Sequence, residues 1–418
     1  MRIEFGIGEG TQLVEVPDRN LMGILAANDV PVGLTDEAEV ARALNVPIGT
    51  PRLREIVRPG ERIAIVTSDI TRPCPSWRIL PGVLDELYAV GCRREDIALV
   101  FAIGSHRPLA PQERRKLAGE RAWREIECLD SDPADCVRLG VTDRGTPVDI
   151  TRAVALADRR ICLGNIEYHY FAGYSGGAKA VMPGCSTPAA IQMNHRMMIR
   201  PECCPGRLED NPLRLDLEQA AAMAGVDFIV NVILDEHKHI VRAVAGDLVK
   251  AHREGCRFLD RMYLKPIPAR ADIVLASQGG APKDLNLYQT QKALDNARHA
   301  VRRGGAIVLI GSCREGLGHP VFEAWLREAP SPESLVERIH REFRLGGHKA
   351  AAIALALKQA EVYLVSDLPD EQVRQVFMKP ARSAQQAFDE AFARLGPDAT
   401  VLAMPWAGAT LPRVTSEE

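Results

Sequence analysis

The sequence has no uninterrupted apolar run of the length that a membrane-spanning helix needs, about 18 residues or more. The first residues, MRIEFG, also lack the apolar stretch of a signal peptide. Lysine and arginine number 52 against 55 aspartates and glutamates, so the net charge is −3 and there is no basic surplus of the kind that nucleic-acid binding requires. We therefore expect neither membrane nor nucleic acid as a partner, whereas a few local cations suffice for a small anionic substrate.

No CxxC pair occurs among the ten cysteines, and their spacing is irregular. Scattered cysteines in a chain of this length are typical of reduced thiols, so we expect a cytoplasmic protein. Cys203 and Cys204 are adjacent and could form a metal or redox site, or be two incidental thiols. The sequence also lacks internal repeats and low-complexity tracts.

What the sequence does contain is an alternation of short apolar runs with segments of helical spacing. Apolar residues make up 46% of the 418 residues and charged residues 26%, which suits a globular chain of two domains. The alternation predicts an α/β fold with two domains, each with a mostly parallel sheet flanked by helices. A hairpin is expected at residues 227–244. The strand-like runs are residues 62–67, 97–102, 160–163, 227–234, 273–276, 306–310, 362–365 and 400–404.

A domain boundary is expected where Pro266 and Pro268 interrupt this pattern before a new strand. Residues 1–267 would form the N-terminal domain and residues 268–395 the C-terminal domain, and the tail of about residues 396–418 could return to the first. In open α/β sheets, ligands bind beyond the carboxyl ends of the strands. The polar loops after those ends are therefore where catalytic residues are expected.

The first two such loops carry an arginine and a histidine. Arg72 lies in a loop stiffened by Pro73, where it could bind a carboxylate through two hydrogen bonds or pair with Asp69 at the surface. His106 follows Gly104 at the end of the next strand. A histidine titrates near neutral pH, so His106 could act as an acid or base, or be an ordinary solvated side chain.

The third loop carries His169 and then a Ser175-Gly176-Gly177 turn that leads to Lys179. The turn could present backbone N–H groups to a phosphate, and a lysine among small apolar residues could have a lowered pKa and act as a nucleophile. The spacing is not that of a Walker A motif. The alternative is a structural glycine turn with an exposed lysine.

Two further segments carry isolated candidates. Ser186 or Thr187 before Pro188 predicts the start of a helix that carries His195 about two turns later. One imidazole on a rigid helix can ligate a transition metal, but a single histidine cannot make a metal site, so the residues alone favour a buried, hydrogen-bonded histidine.

The fourth loop leads into a helix that we expect to begin near Asp284. Tyr288 and Lys292, four residues apart, would share one face of this helix, with Gln289 beside them. Such a pair could close over a substrate, or could be the ordinary start of an amphipathic helix.

Taken together, these motifs resemble the lactate racemase family that uses a nickel-pincer nucleotide. The most specific part is YSGGAK at residues 174–179, followed by His195. DxTRP at 69–73, GxHRP at 104–108 and YQxxK at 288–292 occur in the same order, and the resemblance runs through roughly residues 66–365. Four motifs in the right order are much harder to obtain by chance than any one of them.

The resemblance implies a pyridinium mononucleotide whose two sulfur-bearing arms and one ring carbon bind nickel. Lys179 would bind one arm covalently as a thioamide, and His195 would be the one protein ligand of the nickel. His106 and His169 would be the catalytic acids and bases. The residues around the cofactor would be Ser175, Gly176, Gly177 and Asp69, and those around the substrate Arg72, Tyr288, Gln289 and Lys292.

The reaction that the resemblance implies is racemisation or epimerisation at C2 of a 2-hydroxy acid, either lactate or a longer or more polar acid. It would proceed by reversible hydride transfer to the nickel-pincer nucleotide through a 2-keto acid, while a neutral histidine takes the hydroxyl proton. The N-terminal domain would bind the cofactor and carry catalysis, and the C-terminal domain would close over the substrate. Proteins that synthesise and supply the cofactor would be partners.

One departure concerns the substrate. Lactate-specific members of the family are expected to have a tryptophan in the stretch corresponding to residues 346–350, and this chain has none there. His348 and Lys349 could instead contact a longer or more polar substrate. The four tryptophans of the chain are Trp77, Trp123, Trp325 and Trp406.

Two alternatives remain at this level. One is a pyridoxal-phosphate-type enzyme, with Lys179 as the Schiff base and the Ser-Gly-Gly turn at the phosphate. The other is a non-enzymatic carrier of the pincer nucleotide, which would need Lys179 and His195 but not His106, His169 and Arg72 together.

Overall fold

The structure is a computed structural model that describes residues 1–235, 237–344 and 346–415. The chain divides into two compact units, which we call the N-terminal unit (Val30–Arg261) and the C-terminal unit (Met1–Asp29 with Met262–Glu418). Glu236 of the predicted hairpin and residues 416–418 of the predicted tail lie outside the described residues. No helix among the described residues is long and apolar enough to cross a membrane.

The strands of the described residues are, in chain order, β1 (Arg2–Ile7), β2 (Gly10–Glu15), β3 (Leu21–Ile24), β4 (Ile63–Ser68), β5 (Ile97–Ala102), β6 (Glu127–Asp130), β7 (Cys136–Val141), β8 (Pro147–Thr151), β9 (Arg159–Asn165), β10 (Tyr168–His169), β11 (Gly173–Tyr174), β12 (Phe228–Leu234), β13 (Ile240–Gly246), β14 (Leu264–Ile267), β15 (Ala271–Ser277), β16 (Val301–Ile310), β17 (Glu361–Val365), β18 (Lys379–Ala381), β19 (Val401–Met404) and β20 (Leu411–Val414).

The α-helices are α1 (Asp36–Asn45), α2 (Leu53–Ile56), α3 (Ser76–Tyr88), α4 (Pro111–Glu125), α5 (Arg152–Ala155), α6 (Pro188–His195), α7 (Pro212–Met223), α8 (Lys250–Tyr263), α9 (Leu287–Ala297), α10 (Pro320–Glu328), α11 (Pro332–Arg341), α12 (Gly347–Gln359), α13 (Asp370–Gln375) and α14 (Ala384–Leu395). Short 3-10 turns cover Asp18–Asn20, Arg94–Asp96, Gly177–Ala180 and Arg196–Ile199.

The N-terminal unit is built on a six-stranded sheet in the order β13-β12-β9-β4-β5-β6. Neighbouring strands are parallel except β12 and β13, which form the predicted antiparallel hairpin. β4 and β9 are buried along most of their length, as expected for central strands covered on both faces. β4, β5 and β6 add strands in one direction, whereas β9 and β12 lie on the other side of β4. Such a reversal opens a crevice beyond the carboxyl ends of the two central strands, here β4 and β9.

The C-terminal unit contains a second six-stranded sheet, in the order β18-β17-β16-β15-β19-β3, with all neighbours parallel. β16, β17 and β18 are added on one side of β15, whereas β19 lies on its other side, so the order of strands reverses between β15 and β19. The β1–β2 hairpin contributes Ile3, Phe5 and Val14 to a core that also contains Ile273 and Val401. These residues are buried because the hairpin supplies apolar side chains to one face of the sheet.

The predicted α/β class is confirmed, and the strand-like runs coincide with strands of the two large sheets. The extent of the units differs from the predicted boundaries. The sequence predicts that residues 1–29 belong to the N-terminal domain and that the tail could return to that domain. In the structure β3 pairs with β19, and β19 pairs with β15, so both segments belong to the C-terminal unit. β14, which contains Pro266, pairs with β20 in a two-stranded sheet, where a proline is tolerated.

The start of the helix after β15 is also corrected. α9 begins at Leu287, and Asn286 is its N-cap, because Asn286 Oδ1 accepts the Gln289 N–H at 3.0 Å. Asp284 is instead fully buried, and its carboxylate accepts the backbone N–H groups of Gly8 and Ser312. It therefore connects three loops of the C-terminal unit instead of beginning a helix.

Candidate active site

The loops after β4 and β5 bring Asp69 and His106 into direct contact. His106 Nδ1 lies 2.6 Å from Asp69 Oδ2, and Thr71 Oγ1 donates to Asp69 Oδ1 at 2.7 Å. Asp69 is 2% exposed, whereas His106 is only half-buried. Burial raises the pKa of the Asp69 carboxyl, but the hydrogen bonds from His106 and Thr71 and the charge of Arg72 outweigh burial and hold that pKa below its ordinary value.

An ionised Asp69 fixes the tautomer of His106. A carboxylate only accepts hydrogen bonds, so the proton between the two residues belongs to His106 Nδ1. The neutral ring then carries its lone pair on Nε2. His106 is therefore held ready to accept a proton at Nε2, by the same logic that orients the histidine of a Ser-His-Asp triad.

The His106 loop is connected to the segment that follows Lys179. The Gly104 N–H donates to the carbonyl oxygen of Gly184 at 2.9 Å. Ser131 Oγ donates to the same carbonyl at 3.0 Å and accepts the Ile103 N–H at 3.1 Å. These hydrogen bonds fix the position of the β5 loop relative to the lysine-bearing segment.

Phe171 connects three of the predicted site residues. Its ring centroid lies 4.5 Å from that of His169 and 4.9 Å from that of His195, with both pairs edge to face. Lys179 Nζ lies 5.6 Å from the same centroid. Phe171 is 3% exposed, so the two histidines and the lysine surround one buried aromatic ring.

Lys179 lies in surroundings that favour a neutral amine. Burial is the largest cause of a pKa well below the ordinary lysine value, and the positive charges of Arg72 and Arg214 lower it further. Arg72 itself is exposed, and Arg214 is fully buried. A neutral amine is the nucleophilic form, so the site suits covalent bond formation at Lys179 Nζ.

His169 is held in the opposite tautomer from His106. It ends the two-residue strand β10, which pairs with β11 across a tight loop. The Ala172 N–H donates to His169 Nδ1 at 3.3 Å, so the neutral ring carries its proton on Nε2. The two histidines thus differ in the role of Nε2, an acceptor in His106 and a donor in His169.

The Ser175–Gly177 turn is held by hydrogen bonds to protein groups. The Ser175 N–H donates to the carbonyl of Glu167 at 2.8 Å, and the Gly177 N–H donates to Asn231 Oδ1 at 2.7 Å. The Ser175 hydroxyl donates to the carbonyl of Asn165 at 2.8 Å. These donors are occupied within the protein, so the turn shapes the backbone around Lys179.

Glycine is required in this turn by close packing. Gly176 and Gly177 have φ values of +72° and +57°. A Cβ at Gly176 would lie 2.6 Å from Asn231 Oδ1, and one at Gly177 would lie 2.9 Å from His252 Cδ2 and 3.0 Å from Arg214 Nη2. Burial and the charge of Arg214 hold the pKa of His252 well below its ordinary value, so the ring is neutral behind the turn.

His195 lies about two turns into α6, as predicted, and is the last residue of this helix. Thr187 caps this helix, because Thr187 Oγ1 accepts the Ala190 N–H, and Pro188 occupies its first turn. His195 is 8% exposed, and its Nδ1 lies 3.1 Å from Asn194 Oδ1.

Whether these residues fit a metal-bearing nucleotide can be tested on the donor set. Among the described residues, no group of three or more His, Cys, Asp or Glu side chains could hold a metal ion, so a metal at His195 would need its other ligands from a bound cofactor. The amides of Asn165 and Asn231, which are 3% and 1% exposed, each have an Nδ2 without a hydrogen-bond partner. A neutral lysine, a single imidazole and two unsatisfied buried donors fit such a group.

Cys203 and Cys204 do not add to this donor set. The Cys203 thiol is buried and donates to Asn211 Oδ1 at 3.3 Å. Burial raises its pKa to about 11, so it is protonated at neutral pH and is a poor metal ligand. For Cys203, the structure supports an incidental thiol.

In the C-terminal unit, Tyr288 and Lys292 lie on α9 at the predicted four-residue spacing. Tyr288 is half-buried, whereas Gln289 and Lys292 are exposed. Lys349 Nζ donates to the carbonyl of Tyr288 at 2.6 Å and lies 3.9 Å from the centroid of its ring. Lys349, of α12, therefore holds a positive charge against Tyr288.

Trp325 occupies the space beside residues 346–350, where the sequence lacks a tryptophan. Its indole is 1% exposed, and a Cβ at Gly347 would lie 2.6 Å from it. His348 accepts the Gly346 N–H at Nδ1 and stacks on Phe343. The tryptophan comes from α10, so its proximity to this stretch depends on tertiary packing that the sequence does not reveal.

Several residues around the site were not found from the sequence. Phe171, Asn194 and Asn231 are buried residues of ordinary type without a motif of their own. The one available signal was that Phe171 lies within the aromatic segment between His169 and Tyr174.

Comparisons with known proteins find similar sequences over nearly the whole chain. The family model of the lactate racemase N-terminal domain matches residues 7–204, and that of the lactate racemase C-terminal domain matches residues 267–410. The chain is 33% identical to the lactate racemase of Thermoanaerobacterium thermosaccharolyticum and 32% identical to that of Lactiplantibacillus plantarum. Each match covers 96% of this chain and 97% of the relative.

Solved structures are similar as well. The structure of the lactate racemase apoprotein from Thermoanaerobacterium thermosaccharolyticum has a TM-score of 0.91 at 31% identity, covering 99% of this chain and 100% of that chain. A protein from Thermotoga maritima, with 18% identity and a TM-score of 0.66 over 91% of this chain and 98% of that chain, shares the fold alone. The chain therefore belongs to the lactate racemase family and is an isomerase.

Proposed function

We propose that the protein racemises or epimerises the C2 centre of a 2-hydroxy acid and uses a nickel-pincer nucleotide bound at Lys179 and His195. The observation that carries this proposal is the cluster of His169, Lys179 and His195 around Phe171. The relatives named lactate racemase support lactate as the first substrate to test.

The cofactor would be held by a covalent bond to Lys179 Nζ and by His195 as a metal ligand. A lysine with a strongly lowered pKa supports the first, and a solitary imidazole on a capped helix supports the second. Asp69 and the Ser175, Gly176 and Gly177 turn would border it. When bound, this group supplies an acceptor for the hydrogen that leaves C2 of the substrate.

The protein's own residues would move the proton of the substrate hydroxyl. His106 Nε2 would accept it from one enantiomer, because Asp69 holds the Nδ1 proton and stabilises the imidazolium that forms. His169, whose neutral ring carries its proton on Nε2, would serve the opposite face by donating a hydrogen bond to the C2 oxygen, so that the planar 2-keto acid can be reduced from either side. Arg72, exposed at the end of β4, would bind the substrate carboxylate.

Tyr288, Gln289 and Lys292 are proposed as substrate-binding residues on the basis of their motif. The cation of Lys349 against Tyr288 supports including acids with an additional polar or anionic group among the candidate substrates. Replacing Lys349 by methionine should then reduce turnover of such an acid more than turnover of lactate. The protein also depends, in this proposal, on partner proteins that synthesise and supply the cofactor.

The experiment that tests the proposal is an intact mass and nickel analysis of protein made in cells that supply the pincer nucleotide. Wild type and Lys116→Ala, which removes an exposed lysine of the same unit, should carry the added mass and about one nickel per chain. Lys179→Ala should lack the covalent mass. Chiral chromatography of lactate and of longer 2-hydroxy acids then measures racemisation.

The other possible results of these measurements would each contradict a specific part of the proposal. Unmodified wild type under these conditions overturns the cofactor assignment, and a lysine adduct trapped by borohydride without nickel identifies a pyridoxal-type enzyme. A fully loaded protein that interconverts none of the acids would be a carrier. Full activity in His106→Ala would contradict the assigned role of that histidine.

A further inference from the structure

The imidazole of His195 contacts a buried polar chain that the proposed reaction does not use. Asn194 and Asp216 are both completely buried. Asn194 Oδ1 lies 3.1 Å from His195 Nδ1, and Asn194 Nδ2 lies 2.7 Å from Asp216 Oδ2. The three residues thus form a chain from the carboxylate to the ring.

Asp216 belongs to α7 and is itself fixed by the turn between β7 and β8. Thr146 Oγ1 donates to Asp216 Oδ2 at 2.7 Å, and Thr142 Oγ1 donates to Oδ1. Both threonines are buried. The carboxylate therefore receives hydrogen bonds from hydroxyl groups on one side and from the Asn194 amide on the other.

The direction of the Asn194 amide follows from its acceptors. Nδ2 faces the Asp216 carboxylate and, at 3.2 Å, the carbonyl of Leu213. Both of these groups only accept hydrogen bonds, so a reversed amide would place its oxygen against two acceptors. Asn194 Oδ1 must therefore face His195, and an oxygen there requires the His195 proton on Nδ1.

We propose that Asp216 and Asn194 are positioning residues that set the tautomer of His195 and present Nε2 as its metal-binding atom. Ligating histidines commonly donate their second ring N–H to an outer acceptor, which fixes the ring and raises its basicity. This inference rests on the proposed function in one respect, namely that the metal binds at His195. The tautomer itself is independent of any cofactor.

Two measurements test the inference. In unloaded protein with ¹⁵N-labelled histidine, the His195 ring, identified by comparison with His195→Gln, should show Nδ1 protonated and Nε2 unprotonated. Asn194→Ala should remove this preference. In loaded protein, nickel loss to a chelator should be about 10- to 100-fold faster in Asn194→Ala, with the covalent cofactor mass retained.

Thr146→Val is the matched control, because it removes another hydrogen bond to Asp216 and leaves the Asn194 contact with His195 in place. It should keep the wild-type tautomer and nickel retention even if its stability falls. If Asn194→Ala does not fold, Asp216→Asn takes its place and should weaken the preference, because the Asn194 amide loses its carboxylate acceptor.

Wild-type His195 with its proton on Nε2 would overturn the inference, as would equal nickel retention in Asn194→Ala and Thr146→Val. Failure of the wild type to take up nickel would instead count against the proposed function. In that case the NMR result alone decides whether Asn194 sets the tautomer.

Discussion

At the scale of single residues, the Asp69–His106 pair is the contact whose chemistry is most sharply defined. The carboxylate is buried, and its bond to His106 Nδ1 leaves Nε2 as the proton acceptor. An asparagine at position 69 would present either an oxygen or an NH₂ group to the ring. In the second arrangement His106 carries its proton on Nε2 and cannot act as a base there.

Asp69→Asn should therefore lower the racemisation rate by about 10²- to 10⁴-fold, the range that a positioned general base contributes. The covalent cofactor mass should be unchanged, since Lys179 is untouched. Initial rates measured from both enantiomers, beside intact mass, check this expectation. A rate within twofold of wild type would show that the pair has no part in proton transfer.

The same carboxylate predicts a dependence of stability on pH. The folded-state pKa of Asp69 lies below its ordinary value, so ionisation contributes stability above the unfolded-state pKa of about 3.9. This contribution is lost as the pH falls through the folded-state pKa. Urea unfolding of wild type and Asp69→Asn between pH 7 and pH 3 should give a difference in the free energy of unfolding that narrows as the pH falls below about 4. A constant difference would contradict the lowered pKa.

The effect of the Arg72 charge on the pKa of Lys179 can also be tested. Because Arg72 helps to lower the pKa of Lys179, Arg72→Gln should raise that pKa and reduce the fraction of neutral amine at pH 7.5. Carbamylation of unloaded protein by cyanate, followed by peptide mass spectrometry, should be slower at Lys179 in this variant. The exposed Lys116 is an internal reference whose labelling should stay the same.

At the scale of elements, the Ser175–Gly177 turn shows how packing constrains the backbone beside Lys179. Gly177→Ala would combine a positive φ with contacts of 2.9 Å to His252 and 3.0 Å to Arg214. Gly60, in the same unit, has φ +83° and open space where a Cβ would lie. Alanine substitutions at these two glycines therefore distinguish the cost of backbone strain alone from the cost of strain together with a steric clash.

Gly60→Ala should lower the free energy of unfolding by about 1 kcal/mol, the cost of a left-handed alanine. Gly177→Ala should lower it by about 2 to 4 kcal/mol, because overpacking adds about 1 to 3 kcal/mol. It should also reduce covalent loading at Lys179. Urea titration and intact mass provide both readings, and equal effects of the two substitutions would argue against the clash.

The elements also show which parts of the fold the sequence could predict. β4, β5 and β9 were found because central parallel strands are continuously apolar, and α6 was found because Thr187 and Pro188 mark its start. β7 was missed because its side chains are half-buried or exposed and show no clear alternation. Asp284 looked like a helix start, but its hydrogen-bond partners Gly8 and Ser312 are distant in sequence.

The residues of the candidate site could likewise be predicted only in part. His106, His169, Lys179 and His195 were found by motif, whereas Phe171, Asn194 and Asp216 became apparent only through contacts that folding creates.

At the scale of the whole molecule, the C-terminal unit draws its core from both ends of the chain. Phe5 is fully buried in that core, while Phe101 is fully buried in the core of the N-terminal unit. No local pattern near residue 5 indicates which sheet it joins, because the strands of the large sheet in that core, such as those with Ile273 and Val401, lie hundreds of residues away. The prediction that the first 29 residues belong to the N-terminal domain is therefore wrong.

Phe5→Ala and Phe101→Ala form a matched pair, each expected to cost about 3 to 5 kcal/mol in its own unit. Hydrogen exchange read by mass spectrometry should show the loss of protection from Phe5→Ala mainly in β15, β16 and β19. Phe101→Ala should act mainly on β4, β5 and β9. Loss of protection in the opposite unit for either variant would contradict the division.

The pairing of β3 with β19 also sets an order of events during synthesis. At about 5 to 20 residues per second, roughly 380 residues separate the emergence of β3 from that of its partner, a delay on the order of 20 to 80 s. The N-terminal unit, whose residues are contiguous, can complete its core within that interval. Throughout this interval β3 stays on the ribosome-bound chain without its partner, an exposed edge that a nascent-chain chaperone would have to cover.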